Sequence, residues 1–152
     1  MDKSKYLVSI AGAVLVPAFE FLYGSGDVVY YGMLALLFFI GMDWISGVRA
    51  AKKDDTYASE YGIDGVFRSF FMLLLPAGGH FVDQLFTLPG VVFGLFAGGL
   101  LFHVLKSMTA NAIRAGWGNR LPISALNFVI NFVGSELDNK IKRAESRKGE
   151  SL

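Results

Sequence analysis

The stretch VVYYGMLALLFFIGMDWISGV, residues 28–48, is an apolar run that decides the fold class. A helix of about 20 residues is needed to cross the ~30 Å hydrocarbon core of a bilayer, and this run is long enough. Tyr30 and Tyr31 lie at one edge and Trp44 at the other, as interfacial aromatic residues do. The run therefore predicts a transmembrane helix.

Three further apolar runs flank this one, at residues 6–23, 66–86 and 88–105. Hydrophobic residues make up 53% of the 152 residues and charged residues 18%, which is too apolar for a soluble domain of this size. We expect an all-α integral membrane helical bundle with about four transmembrane helices. The first run contains Pro17 and Glu20, so three spans with an interfacial first helix stay open as the alternative.

Lysine and arginine follow an alternating pattern along these runs. Of the 14 basic residues, none falls in the segments around 24–27 and 87, which connect the first run to the second and the third to the fourth. Basic residues in short loops are retained on the cytoplasmic side. The pattern predicts a multi-pass protein of the cytoplasmic membrane with both termini inside.

The chain after the last run has a different pattern. We expect a transmembrane domain over residues 1–120, an amphipathic cytoplasmic helix over 121–144 and a disordered tail over 145–152. The helix is indicated by apolar residues at steps of three and four: Ile123, Leu126, Val129, Ile130, Val133, Leu137 and Ile141. Such a helix is suited to lie on the inner membrane surface or to bundle with copies of itself.

Several ionisable residues lie inside or at the ends of the runs. Placing a charged side chain in lipid costs free energy, so such a residue usually has a function or is paired with another polar group. Asp43 and Arg68 fall at matching depth on neighbouring antiparallel spans, and we expect them to meet, either as an ion pair that fixes packing or along a permeation path. His80 and Asp83 are expected to face a hydrated interior.

The third run contains Pro76, Gly78 and Gly79, which predicts irregular backbone that is covered by protein or water. The fourth run contains Gly90, Gly94 and Gly98 at a spacing of four. This spacing lays glycine on one helical face, where another helix can approach closely. The contact is equally consistent with packing inside one subunit and with packing between subunits.

Residues that would indicate catalysis, metal binding or nucleic-acid binding are sparse. Cysteine is absent, which removes thiolate chemistry, and His80 and His103 are expected near opposite ends of their spans, which disfavours a metal site. Neither a nucleophile-and-base motif nor a glycine-rich phosphate loop is present. Glu145 and Glu150 dilute the basic tail. We therefore expect no enzyme, no cofactor, no metal and no nucleic-acid partner.

Between Met42 and Pro122 the chain contains a series of short, spaced motifs. Their residues are Asp43, Gly47, Ser59, Gly62, Gly65, Ser107, Asn111 and Gly116. These motifs resemble those of the toxin secretion and phage lysis holin family. Arg68 stands where the family usually has lysine, and His103 and Ala110 stand at or near its two later acidic positions.

This resemblance implies a holin, a small membrane protein that oligomerises and opens lesions through which a muralytic enzyme, the endolysin, leaves the cytoplasm. The implied partners are the lipid bilayer, copies of the same chain and, only indirectly, an endolysin. In this hypothesis Gly90, Gly94 and Gly98 make helix contacts, while Asp43, Arg68, His80 and Asp83 face the polar interior. The alternative is a non-lytic small channel or a membrane subunit of a secretion or injection assembly.

Overall fold

The computed structural model describes residues 3–149, except for the side chains of residues 3, 5–11, 59–62, 148 and 149. Within residues 3–149 the regular secondary structure consists of helices, which confirms the all-α prediction. The five helices are α1 (Lys3–Tyr23), α2 (Asp27–Lys53), α3 (Ser59–Leu85), α4 (Val91–Arg114) and α5 (Ile123–Gly149). Among the residues with described side chains, three segments are long and apolar enough to cross a membrane: Asp27–Lys53, Ile63–Leu85 and Val91–Arg114.

Helix α4 lies at the centre of the bundle and packs against α2, α3 and α5. Helices α2 and α4 run in the same direction and α3 runs against them, as consecutive membrane spans with short connections do. The core between them consists of Met33, Leu36 and Ile40 of α2, Met72 of α3, and Phe93 and Val104 of α4. These side chains interdigitate as a packed apolar core, which holds the three helices in register.

Helix α1 is attached to the bundle at its C-terminal end. Phe19 and Tyr23 pack against the core, and the Phe21 ring lies 5.7 Å from the Phe81 ring of α3. Upstream, Val14, Leu15 and Val16 are exposed, and the apolar part of α1 with described side chains is the shorter segment Gly12–Tyr23. Whether residues 6–23 cross the membrane therefore stays a prediction.

The irregular backbone that the sequence predicts around Pro76 is absent, because α3 continues as a helix from Ser59 to Leu85. Proline lacks an N–H, so one carbonyl in the preceding turn loses its helical partner. The Tyr23 hydroxyl donates to the Leu73 carbonyl at 3.3 Å in this same turn. A donor from α1 thus reaches the turn that Pro76 disturbs, at the residue next to Met72, whose carbonyl is the one that loses its helical partner.

A close approach between α3 and α4 depends on Gly79. A Cβ built on Gly79 would lie 2.9 Å from the backbone nitrogen of Phe93, whereas a Cβ on Gly78 would meet nothing within 4 Å. We expect Gly79→Ala to lower the free energy of unfolding by about 1–3 kcal/mol, since the α4 backbone must move away. Denaturant titration in detergent checks this, with Gly78→Ala as the matched control; equal stability of the two variants would refute it.

Helix α5 continues beyond residue 144, so residues 145–149 of the expected tail belong to it. Residues 150–152 lie outside the described part of the chain. The helix is packed along α4 rather than separate from the bundle: Ile130 joins Leu105 and Met108 in a second apolar cluster, with Leu126 and Val133 against it. The apolar stripe that the sequence predicts is therefore the face that contacts α4.

Candidate functional site

Asp43 is the centre of a polar network at the end of the bundle where α2 and α4 finish and α3 begins, hereafter the Asp43 end. Its side chain is 5% exposed, and its Oδ2 lies 3.5 Å from the Arg68 guanidinium. Its Oδ1 accepts a hydrogen bond from the Asn111 amide at 3.0 Å. The predicted contact between Asp43 and Arg68 is confirmed. Asn111 joins it, so one buried carboxylate connects α2, α3 and α4.

The network continues towards solvent through Arg114. This guanidinium donates to the Asn111 side-chain oxygen at 3.2 Å and pairs with Asp54 at 2.7 Å. The Lys53 ammonium donates to the Arg114 carbonyl at 3.0 Å. The end of α2 is therefore tied to the end of α4 by charge-assisted bonds, which are stronger than neutral ones.

A cleft of about 190 Å³ opens beside Asp43 between α2 and α3, and Gly47, Gly65 and Arg68 are among the residues that line it. A Cβ on Gly65 would lie 3.0 Å from the Trp44 ring, so glycine here lets the indole approach α3. Arg68 is 57% exposed, which leaves most of its guanidinium available to water. The cleft thus has a buried anion at its base and an accessible cation at its mouth.

The family-motif residues cluster at this same end. Asp43 and Asn111 bond to each other, Gly47 and Gly65 line the cleft, and Ser107 lies one turn before Asn111 with its hydroxyl 3.5 Å from the amide. Gly116 ends α4 at φ +87°, where its N–H donates to the Ile113 carbonyl while Trp117 donates to Ala112. This is a Schellman cap, which favours glycine. Ser59 and Gly62 begin α3, and their side chains lie outside the described residues.

Asp83 is the buried carboxylate at the opposite end of the bundle, where α3 finishes and α4 begins, hereafter the Asp83 end. It is 1% exposed, and its two oxygens accept hydrogen bonds from the backbone N–H groups of Val92 at 2.9 Å and Phe93 at 2.8 Å. These donors belong to the first turn of α4, where no helical carbonyl is in reach. The N-cap residue Gly90 has no side chain to serve them.

Asp83 therefore replaces the missing cap of α4 from the preceding helix. A carboxylate at a helix N-terminus is favoured both by the free N–H groups and by the helix dipole. The interaction also fixes the tight turn between α3 and α4, whose Leu88 N–H donates to the Asp83 carbonyl at 2.7 Å. The sequence places Asp83 at this end but does not reveal that its partners are backbone groups.

His80 lies at the Asp83 end, and its ring packs on the turn between α1 and α2. A Cβ on Gly24 would lie 3.0 Å from the imidazole. A cleft of about 960 Å³ brings His80 to the same opening as Glu20 and Lys140. His103 lies exposed on α4 and is not part of this cleft. Among the residues with described side chains, no three histidine, aspartate or glutamate residues converge as metal ligands do.

Two of the three spaced glycines face α5. A Cβ on Gly94 would meet the Lys140 side chain, and one on Gly98 would lie 3.3 Å from Leu137. Gly90 instead adopts φ +70° in the turn before α4, where an added Cβ would have open space. The glycine face of α4 thus serves a contact within the subunit, while Gly90 serves the turn.

Helix α2 has a face of small residues near its C-terminal end. Ser46, Gly47, Ala50 and Ala51 are all buried there. Small residues let membrane helices approach closely. The pairing of positions 46 and 47 with 50 and 51, one turn apart, is the signal that predicts this face.

Comparison with known proteins finds one matching family. A model of the bacteriophage holin family matches residues 18–131, from the end of α1 to the first part of α5. An uncharacterized protein of Halalkalibacterium halodurans is 25% identical over 112 residues, which cover 72% of this chain and 81% of that protein. No solved structure matches the chain significantly.

Proposed function

Because the chain belongs to the bacteriophage holin family, we propose that it assembles with copies of itself in the host cytoplasmic membrane and opens lesions that release an endolysin. The family match over residues 18–131 is the observation that supports this function most directly. Holins are a non-enzymatic family of membrane proteins, and the proposal accordingly assigns the chain no catalytic step. Its partners are the bilayer, further copies of the chain and, indirectly, the endolysin.

The surface of α2 and α3 supports a membrane location. Large apolar side chains are exposed along both helices at positions where a soluble bundle would be polar, among them Leu37, Phe38, Ile45, Phe67, Phe70 and Phe71. Exposed apolar surface of this extent marks contact with lipid or with another protein. In a bilayer these side chains are solvated by acyl chains and by neighbouring subunits.

We assign the Asp43 end to the cytoplasmic side of the newly inserted subunit. Lys53, Arg68 and Arg114 lie there, and basic residues near short loops are retained inside. Both termini then start in the cytoplasm, so in this proposal α5 lies at the inner surface before it packs along α4 as it does in the structure. The activity of a reporter enzyme fused after Leu152 in non-lysing cells reports on which side of the membrane the C-terminus lies, and so checks this orientation.

The polar residues of the two ends have different roles in this proposal. Asp43 and Asp83 are buried and bonded, so they position α2, α3 and α4. Arg68 is largely exposed at the Asp43 end and His80 lines an open cleft, so water reaches both side chains in this proposal. In this arrangement the two buried carboxylates keep their hydrogen-bond partners when the surroundings of the subunit change from lipid to water.

Induced expression in bacteria tests the function. We expect cells with the chain alone to lose viability abruptly and to leak potassium, and cells that also express a cytoplasmic muralytic enzyme to lyse. Optical density, viable counts and the periplasmic appearance of the muralytic enzyme are the measurements. Potassium leakage without export of the enzyme would indicate a selective channel instead, and unchanged viability in the presence of stable membrane-inserted protein would reject a holin.

A further inference from the structure

Helix α5 lies antiparallel to α4 along most of its length. Lys140 is opposite Gly94, Leu137 is opposite Gly98, and the Phe102 ring packs on Gly134. Ile130 continues the contact to Leu105 and Met108. The residue numbers along this contact thus rise on α4 while they fall on α5, as they do in antiparallel helices. The end of α5 reaches the Asp83 end, where Arg143 and Arg147 line a cleft with Pro89 and Val91.

This contact places α5 at the depth of the membrane. The α4 positions that it covers, from Gly94 to Leu105, belong to a segment long and apolar enough to span the bilayer. The α5 residues beside them include Glu136 and Asp138, both of which are exposed. Charged side chains at this depth are not tolerated in contact with acyl chains, and they normally face a bundle interior or water.

The exposed side of α5 contains a continuous polar strip. Its members follow steps of three and four residues, so they lie on one line of the helix turned away from α4. At ~1.5 Å per residue the strip is about 32 Å long, which matches the thickness of the hydrocarbon core. The residues of this polar strip, all exposed, are Ser124, Asn127, Asn131, Ser135, Asp138, Lys142 and Glu145.

The exposed surface of α2 and α3 is of opposite character. Along the apolar part of α2 and α3 the exposed side chains are large and hydrophobic, as at Leu37 and Phe70. A subunit with one lipid-compatible side and one polar strip of membrane length is amphipathic as a whole. When several such subunits assemble around water, their polar strips face the water and their apolar sides face lipid.

We infer that α5 is the water-facing transmembrane helix of the assembled lesion, with its apolar face on α4 and its polar strip along an opening enclosed by several copies of this chain. The inference rests on the proposed function and names the surface that lines the lesion. It also requires α5 to leave the inner surface as subunits assemble, so that the C-terminal end of the helix moves to the Asp83 end of the bundle.

Paired cysteines test the position of α5, because the natural chain contains no cysteine. The full-length variant Gly98→Cys with Leu137→Cys is expressed in bacteria, and an oxidant is added before and after the onset of leakage. We expect an intramolecular disulfide after onset, measured by mass spectrometry of the linked peptides. Gly98→Cys with Ser135→Cys is the matched control, since Ser135 lies on the polar strip and faces away from α4.

The outcomes separate the inference from the function. Leakage with a disulfide in the Leu137 pair and little in the Ser135 pair supports both. Leakage with no disulfide in either pair overturns the inference and leaves the holin function standing, because α5 then stays at the inner surface. If the unmodified chain inserts but causes no leakage, the proposed function is rejected, and the inference fails with it.

Substitutions that make the polar strip apolar test directly whether the strip lines water. Asn131→Leu with Ser135→Leu leaves the α4 face of α5 intact, so the disulfide of the Leu137 pair should still form in that background. We expect release of a cytoplasmic marker to slow about tenfold or more, since leucine does not favour a hydrated lining. Asn131→Gln with Ser135→Thr keeps the strip polar and should release the marker faster than the leucine variant does. Equal release by the two double variants would overturn the inference.

Discussion

Replacing Asp83 by alanine is expected to lower the free energy of unfolding by about 3–5 kcal/mol, because two backbone donors, one buried and one partly buried, lose their acceptor at once. The carboxylate is 1% exposed, and the N–H groups of Val92 and Phe93 have no helical carbonyl within reach. Water does not replace the carboxylate easily at a site this deeply packed. The first turn of α4 should fray, and the turn between α3 and α4 should loosen with it.

Denaturant titration in detergent micelles measures this effect, and hydrogen exchange of the Val92 and Phe93 amides locates it. Gln84→Ala is the matched control, since Gln84 is the next residue on α3 and is exposed. Asp83→Asn retains one acceptor oxygen and should fall between the two. If Asp83→Ala unfolds at the same denaturant concentration as Gln84→Ala, the carboxylate does not stabilise α4 as the geometry indicates.

The sequence reveals Asp43 and Asp83 unequally because their partners differ in kind. Asp43 pairs with a side chain, and matching depth on two antiparallel spans is enough to predict the contact with Arg68. Asp83 pairs with backbone N–H groups, which every residue except proline possesses, so residue identity gives no sign of them. Its role becomes visible only when the end of α3 and the start of α4 are placed together.

Helix α5 shows a second limit of sequence patterns. The apolar stripe predicts an amphipathic helix, and the structure has one. However, a stripe of this width fits a membrane surface and a neighbouring helix equally well. The glycines of α4 that receive Leu137 and Lys140 lie about 40 residues upstream, and their four-residue spacing does not identify the partner.

The prediction of irregular backbone at Pro76 failed for a related reason. Proline and glycine weaken an isolated helix, but tertiary contacts decide the outcome in a packed one. Pro76, Ala77 and Gly79 are buried, and Gly79 receives the α4 backbone. Gly79, which weakens an isolated helix, is thus the residue that lets α4 approach α3.

Replacing Asp43 by leucine is expected to cost about 1–3 kcal/mol of unfolding free energy, since it removes the acceptor of a donor in a polar network. The loss should fall mainly on the contact with Asn111, whose amide donates to Asp43 at 3.0 Å. Arg68 is 57% exposed, so water compensates for most of its lost partner. Asp43→Asn keeps an oxygen that accepts from Asn111 and should cost roughly half as much.

Double-mutant cycles in detergent separate the two contacts of Asp43. We expect a coupling free energy below about 1 kcal/mol between Asp43→Leu and Arg68→Leu, and about 1–3 kcal/mol between Asp43→Leu and Asn111→Leu. The exposed ion pair of Arg114 with Asp54, 2.7 Å apart, is an internal reference for a surface interaction. A larger coupling to Arg68 than to Asn111 would contradict this assignment, because it would mean that the guanidinium is as well shielded from water as the carboxylate.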